Sequence, residues 1–362
     1  MSVAREFNPN IHGLRGLAAF MVFWCHVYAG ALEAGFYPEH WHPLLAWLLH
    51  AGRYGVDVFF MISGYLITES LTRKGQVRRF LADRAIRIYP AFLAVLLPLI
   101  AMGMLTRAKL FADTDPLIWP LQVLANLLFL PGVFDMPPIL GVAWSLSFEA
   151  AFYLTAALAF ALKRSGRQEL AVAVCAGAGL LLFPQYPGVI FFYAGALIYL
   201  YRDALLLGLA RVHVPFTALI ALLAVWHLVI VHYHRAEADL SVGFAAMLLL
   251  SFVLGLLFFN GVVAGAGPFG IFLRSGALQF LGTISYSFYL WHTPVMFFTK
   301  RIVLHYVAPE QGDAMATLSF ALLSLPPALL VSWISYRLFE AAAGRILHRR
   351  LNQQRTAASV AS

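Results

Sequence analysis

Residues 12–27 read HGLRGLAAFMVFWCHV, an apolar run entered by Arg15 and ending near His26 with no charged residue between them. The two are eleven positions apart. In an α-helix that is about three turns and roughly 16 Å of rise along one face. The run has the polarity of a membrane-crossing helix. It nevertheless places a cation at one end and an imidazole, on the same stripe, near mid-bilayer depth, where ionisable groups are costly. Such a pair needs either partners or a task.

Composition makes the membrane the frame for that question. The 362 residues are 61% apolar and only 12% charged, with mean hydropathy +0.78. Soluble domains carry about 25% charged residues, so this is an integral membrane protein. Apolar runs of ~20 residues recur along the chain, which predicts an all-α polytopic bundle. The basic residues behind the net charge of +8 sit in short loops between apolar runs, so they set orientation and do not indicate nucleic acid. Cys25 and Cys175 both lie in apolar stretches and read as small core residues, with no disulfide framework and no metal site. The N-terminal MSVAREFNPNIHG lacks a cleavable signal pattern, so the first helix is expected to remain in the mature protein.

Spans are expected near 14–34, 55–72, 86–105, 141–162, 170–185, 187–201, 214–232, 240–260, 277–299 and 315–340. The stretch 118–134 is also apolar but holds Pro120, Asn126, Pro131 and Gly132 and is followed by Asp135, Pro137 and Pro138. Loop charge decides how to count it. Placing the basic segment Arg73–Arg87 in the cytoplasm puts the N-terminus inside. If 118–134 folds back as a re-entrant or interfacial segment, Lys163/Arg164/Arg167, Arg202/Arg211, Arg274 and the tail with Arg345, Arg349, Arg350 and Arg355 also fall inside. Glu33/Glu39 and Glu237/Asp239 then fall outside. This gives about ten spans with both termini cytoplasmic; Lys300/Arg301 lies outside, a mild violation. The loops leave no room for a soluble domain. Residues 1–345 read as one membrane domain and 346–362 as a short, basic, disordered cytoplasmic tail.

Five polar clusters interrupt the apolar pattern. Arg15 and His26 offer an anion-binding cation and, deeper, a group suited to general-base work because imidazole titrates near neutrality. Taken singly they read as a snorkelling arginine and a histidine bonded to a neighbouring helix. Within RRFLADRAIRIYP (78–90), Arg84 and Arg87 share a face at i,i+3 and suit bidentate phosphate contacts, whereas Arg73–Arg79 read as orienting charge. In YGVDVFFMISGYLI (54–67), Asp57 either caps a helix start or orients His26, and Ser63-Gly64 permits close packing. In GVAWSLSFEAAFYL (141–154), Ser145 and Glu149 are i,i+4, and a Glu two turns into a span favours a functional role. In GTISYSFYLWHTP (282–294), Ser285, Tyr289 and His292 share a face beside Trp291, as an interfacial belt or a saccharide platform. Together these describe a phosphate-bearing donor held at the cytoplasmic rim and a base near mid-membrane that activates an acceptor.

The chain resembles acyltransferase family 3, the integral membrane O-acyltransferases acting on bacterial surface polysaccharides and related acceptors. The resemblance rests on LRGLAAFMVFWCH (14–26, the family's Arg-x10-His element), GVDVFFMISGYLI (55–67), RAIRIYP (84–90, its Arg-x-x-Arg element), WSLSFEAAFYL (144–154), FFYAGALIYL (191–200), LGTISYSFYLWHTP (281–294) and YRLFE (336–340). It implies an enzyme of the bacterial cytoplasmic membrane that takes acetyl-CoA, or another acyl-CoA, as donor substrate with no permanently bound cofactor. The acceptor is a surface polysaccharide or its lipid-linked precursor, with polysaccharide-assembly proteins as neighbours. Arg15, Arg84 and Arg87 are expected to handle the donor and His26 to be the base or a covalent acyl carrier. Asp57 or Glu149 would support His26, and Trp144, Ser145, Tyr289 and His292 would shape the acceptor site. The short tail resembles the stand-alone members. Two other readings stay open from sequence: a macrolide or small-molecule acyltransferase of the same fold, and a glycan or lipid-intermediate transporter. The lack of an evident inverted repeat weighs against the transporter.

Overall fold

The computed structural model describes residues 7–346 except 39–40, 42, 108–110, 113, 210–213, 234–241, 266, 308–311 and 344. The basic tail from 347 onward, with Arg349, Arg350 and Arg355, lies outside the described residues, as do Glu39, Arg211, Glu237 and Asp239. Among the described residues the fold is helical and without strands. The helices are α1 (Pro9–Glu33), α2 (Pro43–Ala51), α3 (Gly55–Lys74), α4 (Val77–Thr106), α5 (Trp119–Leu127), α6 (Trp144–Arg164), α7 (Gln168–Leu182), α8 (Ile190–Leu209), α9 (Val214–Tyr233), α10 (Val242–Ala264), α11 (Gly267–Leu273), α12 (Gly276–Tyr306) and α13 (Ala314–Ser335).

Helix α1 shows how local chemistry sets these boundaries. The Asn8 side chain accepts from the amides of Asn10 and Ile11, and Pro9 follows where its missing N–H costs nothing. The other end closes on Gly35 at φ 74°, with Phe36 N donating to Ala31 O at 2.8 Å and Gly35 N to Leu32 O at 3.0 Å. This left-handed closure satisfies the last carbonyls and turns the chain away.

Among the described residues, five helices are long and apolar enough to cross a membrane by length and composition: Pro9–Glu33, Val77–Thr106, Gly141–Arg164, Val242–Ala264 and Ala314–Ala343. The helices at other expected spans include a shorter one, α7, and more polar ones, α3 with Asp57, Glu69 and Arg73 and α12 with Gln279, Thr283 and His292. Large apolar side chains such as Leu97, Leu105, Leu154, Leu180, Leu249, Leu322 and Leu330 face outward, the inverse of a soluble surface. Segment 118–134 does fold back. Its helix α5 has nine residues, about 14 Å of rise against a hydrocarbon core of about 30 Å. The chain then reverses through Phe129 (φ 55°) and Gly132 (φ 96°). Asn126 is buried and ties the return, accepting from Ile139 N at 2.8 Å and donating to Gln122 O at 2.9 Å.

Two short helices, α2 and α11, were not expected; at nine and seven residues they fall below the length at which a membrane-span pattern shows. Helix α4 begins at Val77, nine residues before the expected span, so the basic stretch is itself helical and Arg84 and Arg87 sit well inside it.

The centre of the molecule is the pairing of α1 with α12. The two run parallel, with Gly16 at Leu278 and Gly282, Phe23 stacked on Phe288 at 5.4 Å, His26 at His292 and Glu33 bonded to Lys300. Gly16 and Gly282 let the backbones approach so closely that a Cβ at either would run into the facing main chain, at Leu278 and His12 respectively. Helices α3 and α8 pack in the same sense, from Asp57 beside Tyr186 through Phe60 on Phe192 to Tyr65 against Tyr199.

Candidate active site

A cavity of about 750 Å³, counting the space open to its surroundings, lies between α1, α3, α4, α6 and α12. Arg15 enters it from α1, Arg84 and Arg87 from α4, Ser145, Glu149 and Tyr153 from α6, and Ser285, Tyr286 and Tyr289 from α12. Residues far apart in sequence meet here because α12 lies along α1, while the π-helical turn Tyr336–Glu340 after α13 packs back on α4. The expected site residues Arg15, Arg84, Arg87, Ser145, Glu149 and Tyr289 thus share one lining.

Among the lining cations Arg84 is held between aromatic neighbours. The Arg84 guanidinium carbon lies 5.4 Å from the Phe80 ring and 5.7 Å from the Tyr153 ring, so the planar group is flanked by aromatic faces. Glu149 accepts from Tyr153 Oη at 2.6 Å and from Ser63 Oγ at 2.7 Å. These bonds answer why a carboxylate sits two turns into an apolar helix: two hydroxyls replace its water shell, and Arg84 is within electrostatic range. Glu340 on the π-helical turn accepts from Ser287 Oγ at 2.5 Å, with Arg87 and Arg15 within its electrostatic range. The farther wall is tied across helices by Tyr289, whose hydroxyl meets Ser145 Oγ at 2.6 Å and Val142 O at 2.9 Å.

His26 and His292 form a separate pair just beyond that wall. Neither lines the cavity; Tyr289, which does, has its ring 5.9 Å from that of His292. His292 is 1% exposed, and its Nδ1 lies 3.0 Å from Phe288 O, a carbonyl that only an N–H satisfies. Its Nε2 is therefore an acceptor, 3.2 Å from His26 Nδ1. His26 Nδ1 also lies 2.9 Å from Val22 O, so it carries the proton and shares it between the two acceptors. The assignment follows from the hydrogen-bond network. It leaves the lone pair of His26 on Nε2.

Asp57 and Trp144 belong elsewhere. Asp57 is 2% exposed and accepts from Tyr186 Oη at 2.8 Å, and the Trp144 ring lies 5.0 Å from the Tyr186 ring. The expectation that Asp57 or Glu149 supports the His26 imidazole is not what the geometry shows. The partner of His26 is His292, because the α1–α12 pairing puts them in register while Asp57 is claimed by Tyr186 and Glu149 by Ser63 and Tyr153. Sequence reasoning also missed Tyr153, Tyr286, Tyr186 and Glu340. Tyr153 was within reach, since it follows Glu149 at i+4 inside the same motif. Tyr286 and Glu340 lie inside the motifs 282–294 and 336–340 without standing out there, and Tyr186 arrives through long-range packing.

No solved structure matches the chain. Among characterised proteins it is 29% identical over 334 residues to the exopolysaccharide production protein ExoZ of Rhizobium meliloti, covering 86% of this chain and 94% of that protein. It is 30% identical over 165 residues to the acyltransferase MdmB of Streptomyces mycarofaciens, covering 43% of this chain and 40% of that one. It is 25% identical over 384 residues to the peptidoglycan O-acetyltransferase OatA of Listeria monocytogenes, covering 93% of this chain and 56% of that protein. The chain thus spans about half the length of these last two relatives and nearly all of ExoZ. A family model described as an acyltransferase domain matches residues 8–337, taking in both the cavity and the histidine pair, and the chain therefore belongs to acyltransferase family 3.

Proposed function

We propose that this protein is a membrane O-acyltransferase that takes an acetyl or short acyl group from acyl-CoA on the cytoplasmic side. It transfers the group to a hydroxyl of a surface polysaccharide or its lipid-linked precursor. The observation that carries this reading is the convergence of Arg15, Arg84 and Arg87 on one cavity whose far wall, Tyr289, backs onto the His26–His292 pair. Guanidinium groups held at the mouth suit the phosphates of the donor, and the deeper lining of Phe59, Leu146 and Tyr289 suits its uncharged arm. The relatives' printed functions, exopolysaccharide production and peptidoglycan O-acetylation, favour a glycan acceptor. The parallel run of α1 with α12 and of α3 with α8 agrees with alternate crossings in the cytoplasmic membrane with both termini inside.

In the reaction, His26 Nε2 removes the proton from the acceptor hydroxyl as its oxygen attacks the thioester carbon. The carbon–oxygen bond forms, the carbon–sulfur bond breaks, and the departing thiolate takes the proton from the imidazolium to leave as free CoA. His292 holds the His26 proton on Nδ1 throughout, so Nε2 stays the basic atom. Tyr289 separates donor cavity from base, and its ring must turn from Ser145 for the thioester to reach His26. The test is transfer of label from acetyl-CoA to glycan by the purified protein. His26→Ala is expected to lower the rate by about 10²–10⁴-fold, the usual worth of a general base. Full retention of transfer in His26→Ala would sink the assignment, and absence of transfer by the unmodified protein would favour a transporter.

A further inference from the structure

A second cavity of about 430 Å³ adjoins the first at the N-terminal end of α1 and the C-terminal end of α3. The two share Arg15 and Leu66, so Arg15 stands in the lining of both. Their chemistry differs. The first runs from guanidinium groups into apolar side chains. The second is lined by the flat rings of Phe7, His12 and Tyr65 and by the carboxylate of Glu69. Phe7 is 65% exposed, and its ring sits 5.1 Å from that of His12 at 57°. His12 is fixed in place by Thr283, 3.1 Å from its Nε2, and Tyr65 by the Tyr199 ring at 5.4 Å. The Glu69 side chain is 15% exposed.

We propose that this second cavity is the purine subsite of the donor, taking the adenine ring while Arg15 holds phosphate at the boundary between the two cavities. The proposal rests on the acyl-CoA reading given above and assigns the end of the donor which that reading leaves unplaced. The order of charge along the cavities fixes the direction. Three guanidinium groups line the first cavity, whereas the second adds to the shared Arg15 the carboxylate of Glu69, itself 3.6 Å from Arg73 Nη1, so phosphates belong at Arg15 and beyond, toward Arg84 and Arg87. An exocyclic amine, in contrast, is a pair of donors for which a carboxylate is the natural acceptor. The exposed Phe7 ring supplies a face on which a planar base stacks. The thioester then points away from the second cavity, into the first and toward Tyr289.

The experiment compares two donors in the purified full-length protein: acetyl-CoA and acetyl-pantetheine, which carries the thioester arm without the nucleotide. The readout is the preference for acetyl-CoA, as the ratio of kcat/KM for the two donors. Glu69→Gln and Phe7→Ala are each expected to lower that preference about tenfold, through KM for acetyl-CoA, the size of one lost contact of about 1.4 kcal/mol. Adenosine 3′,5′-bisphosphate is expected to compete with acetyl-CoA in the unmodified protein and about tenfold more weakly in Glu69→Gln. An unchanged preference in both variants, with unchanged inhibition, overturns the subsite. Phe7 is exposed, so its variant tests the subsite without disturbing the core. A protein that transfers from neither donor fails the acyl-CoA reading itself, which is a different result from transfer without a purine preference.

Discussion

At the scale of the residue, the decisive feature is an imidazole whose proton is assigned by its neighbours. His26 has two acceptors for one N–H, Val22 O and His292 Nε2, and the second exists only because His292 has given its own Nδ1 proton to Phe288 O. In the proposed reaction His292 is thus a positioning residue, acting on the acceptor through His26. Replacing it with alanine is expected to lower kcat by about 10–100-fold with KM for the donor little changed, as for other groups that orient a reactive imidazole. His292→Gln, whose amide oxygen can take the His26 proton, is expected to recover part of that loss. A purely structural role would instead move stability and KM together and would not distinguish glutamine from alanine. The sequence showed both histidines and even that His292 shares a face with Tyr289, but assigned it to the acceptor. Nothing local says that a residue of α12 will meet one of α1.

At the scale of the element, the pairing of α1 and α12 carries the site. Gly16 faces Leu278 and Gly282 with no space for a Cβ, so Gly16→Ala forces either the helices apart or the Leu278 backbone aside. The expected cost is about 1–3 kcal/mol, the usual price of overpacking, read as a lower unfolding midpoint in detergent. Because His26 and His292 ride on the same two helices, activity should fall further than stability. The fold-back after α5 depends on a different contact. Asn126→Ala leaves the buried Ile139 amide without its acceptor, which costs about 1–3 kcal/mol, and is expected to expose the segment 128–140 to limited proteolysis. The need for a fold-back was legible, since Pro120, Asn126, Pro131 and Gly132 break the span and loop charge demands an even count. That Asn126 holds the return was not, because its partners Ile139 and Pro137 lie in the following loop.

At the scale of the whole molecule, the proposed function divides the arrangement into a donor side, at the cavity, and an acceptor side, at the histidine pair. If both termini are cytoplasmic, a single cysteine at Lys163 should react with an impermeant thiol reagent only after the cell is opened. One at Lys300 should react in intact cells, with Cys25 and Cys175 replaced in both. Labelling of Lys163 from outside would reverse the whole assignment of the cavity mouth. The sequence alone determined that this is an apolar helical membrane protein, where its longer helices lie, and that Arg15, Arg84, Arg87, Glu149 and His26 are out of place in an ordinary bilayer span. Composition, period and desolvation cost are properties of single segments, so they can be read one segment at a time. Which of those residues meet was decided only by the tertiary structure. Helix packing sent Asp57 to Tyr186, closed Ser145 on Tyr289, brought Glu340 from the end of the described chain toward the arginines, and gave His26 a histidine for a partner. The physical reason is that helices pair through small residues and shape, and two glycines 266 positions apart, Gly16 and Gly282, set the register that no single helix contains.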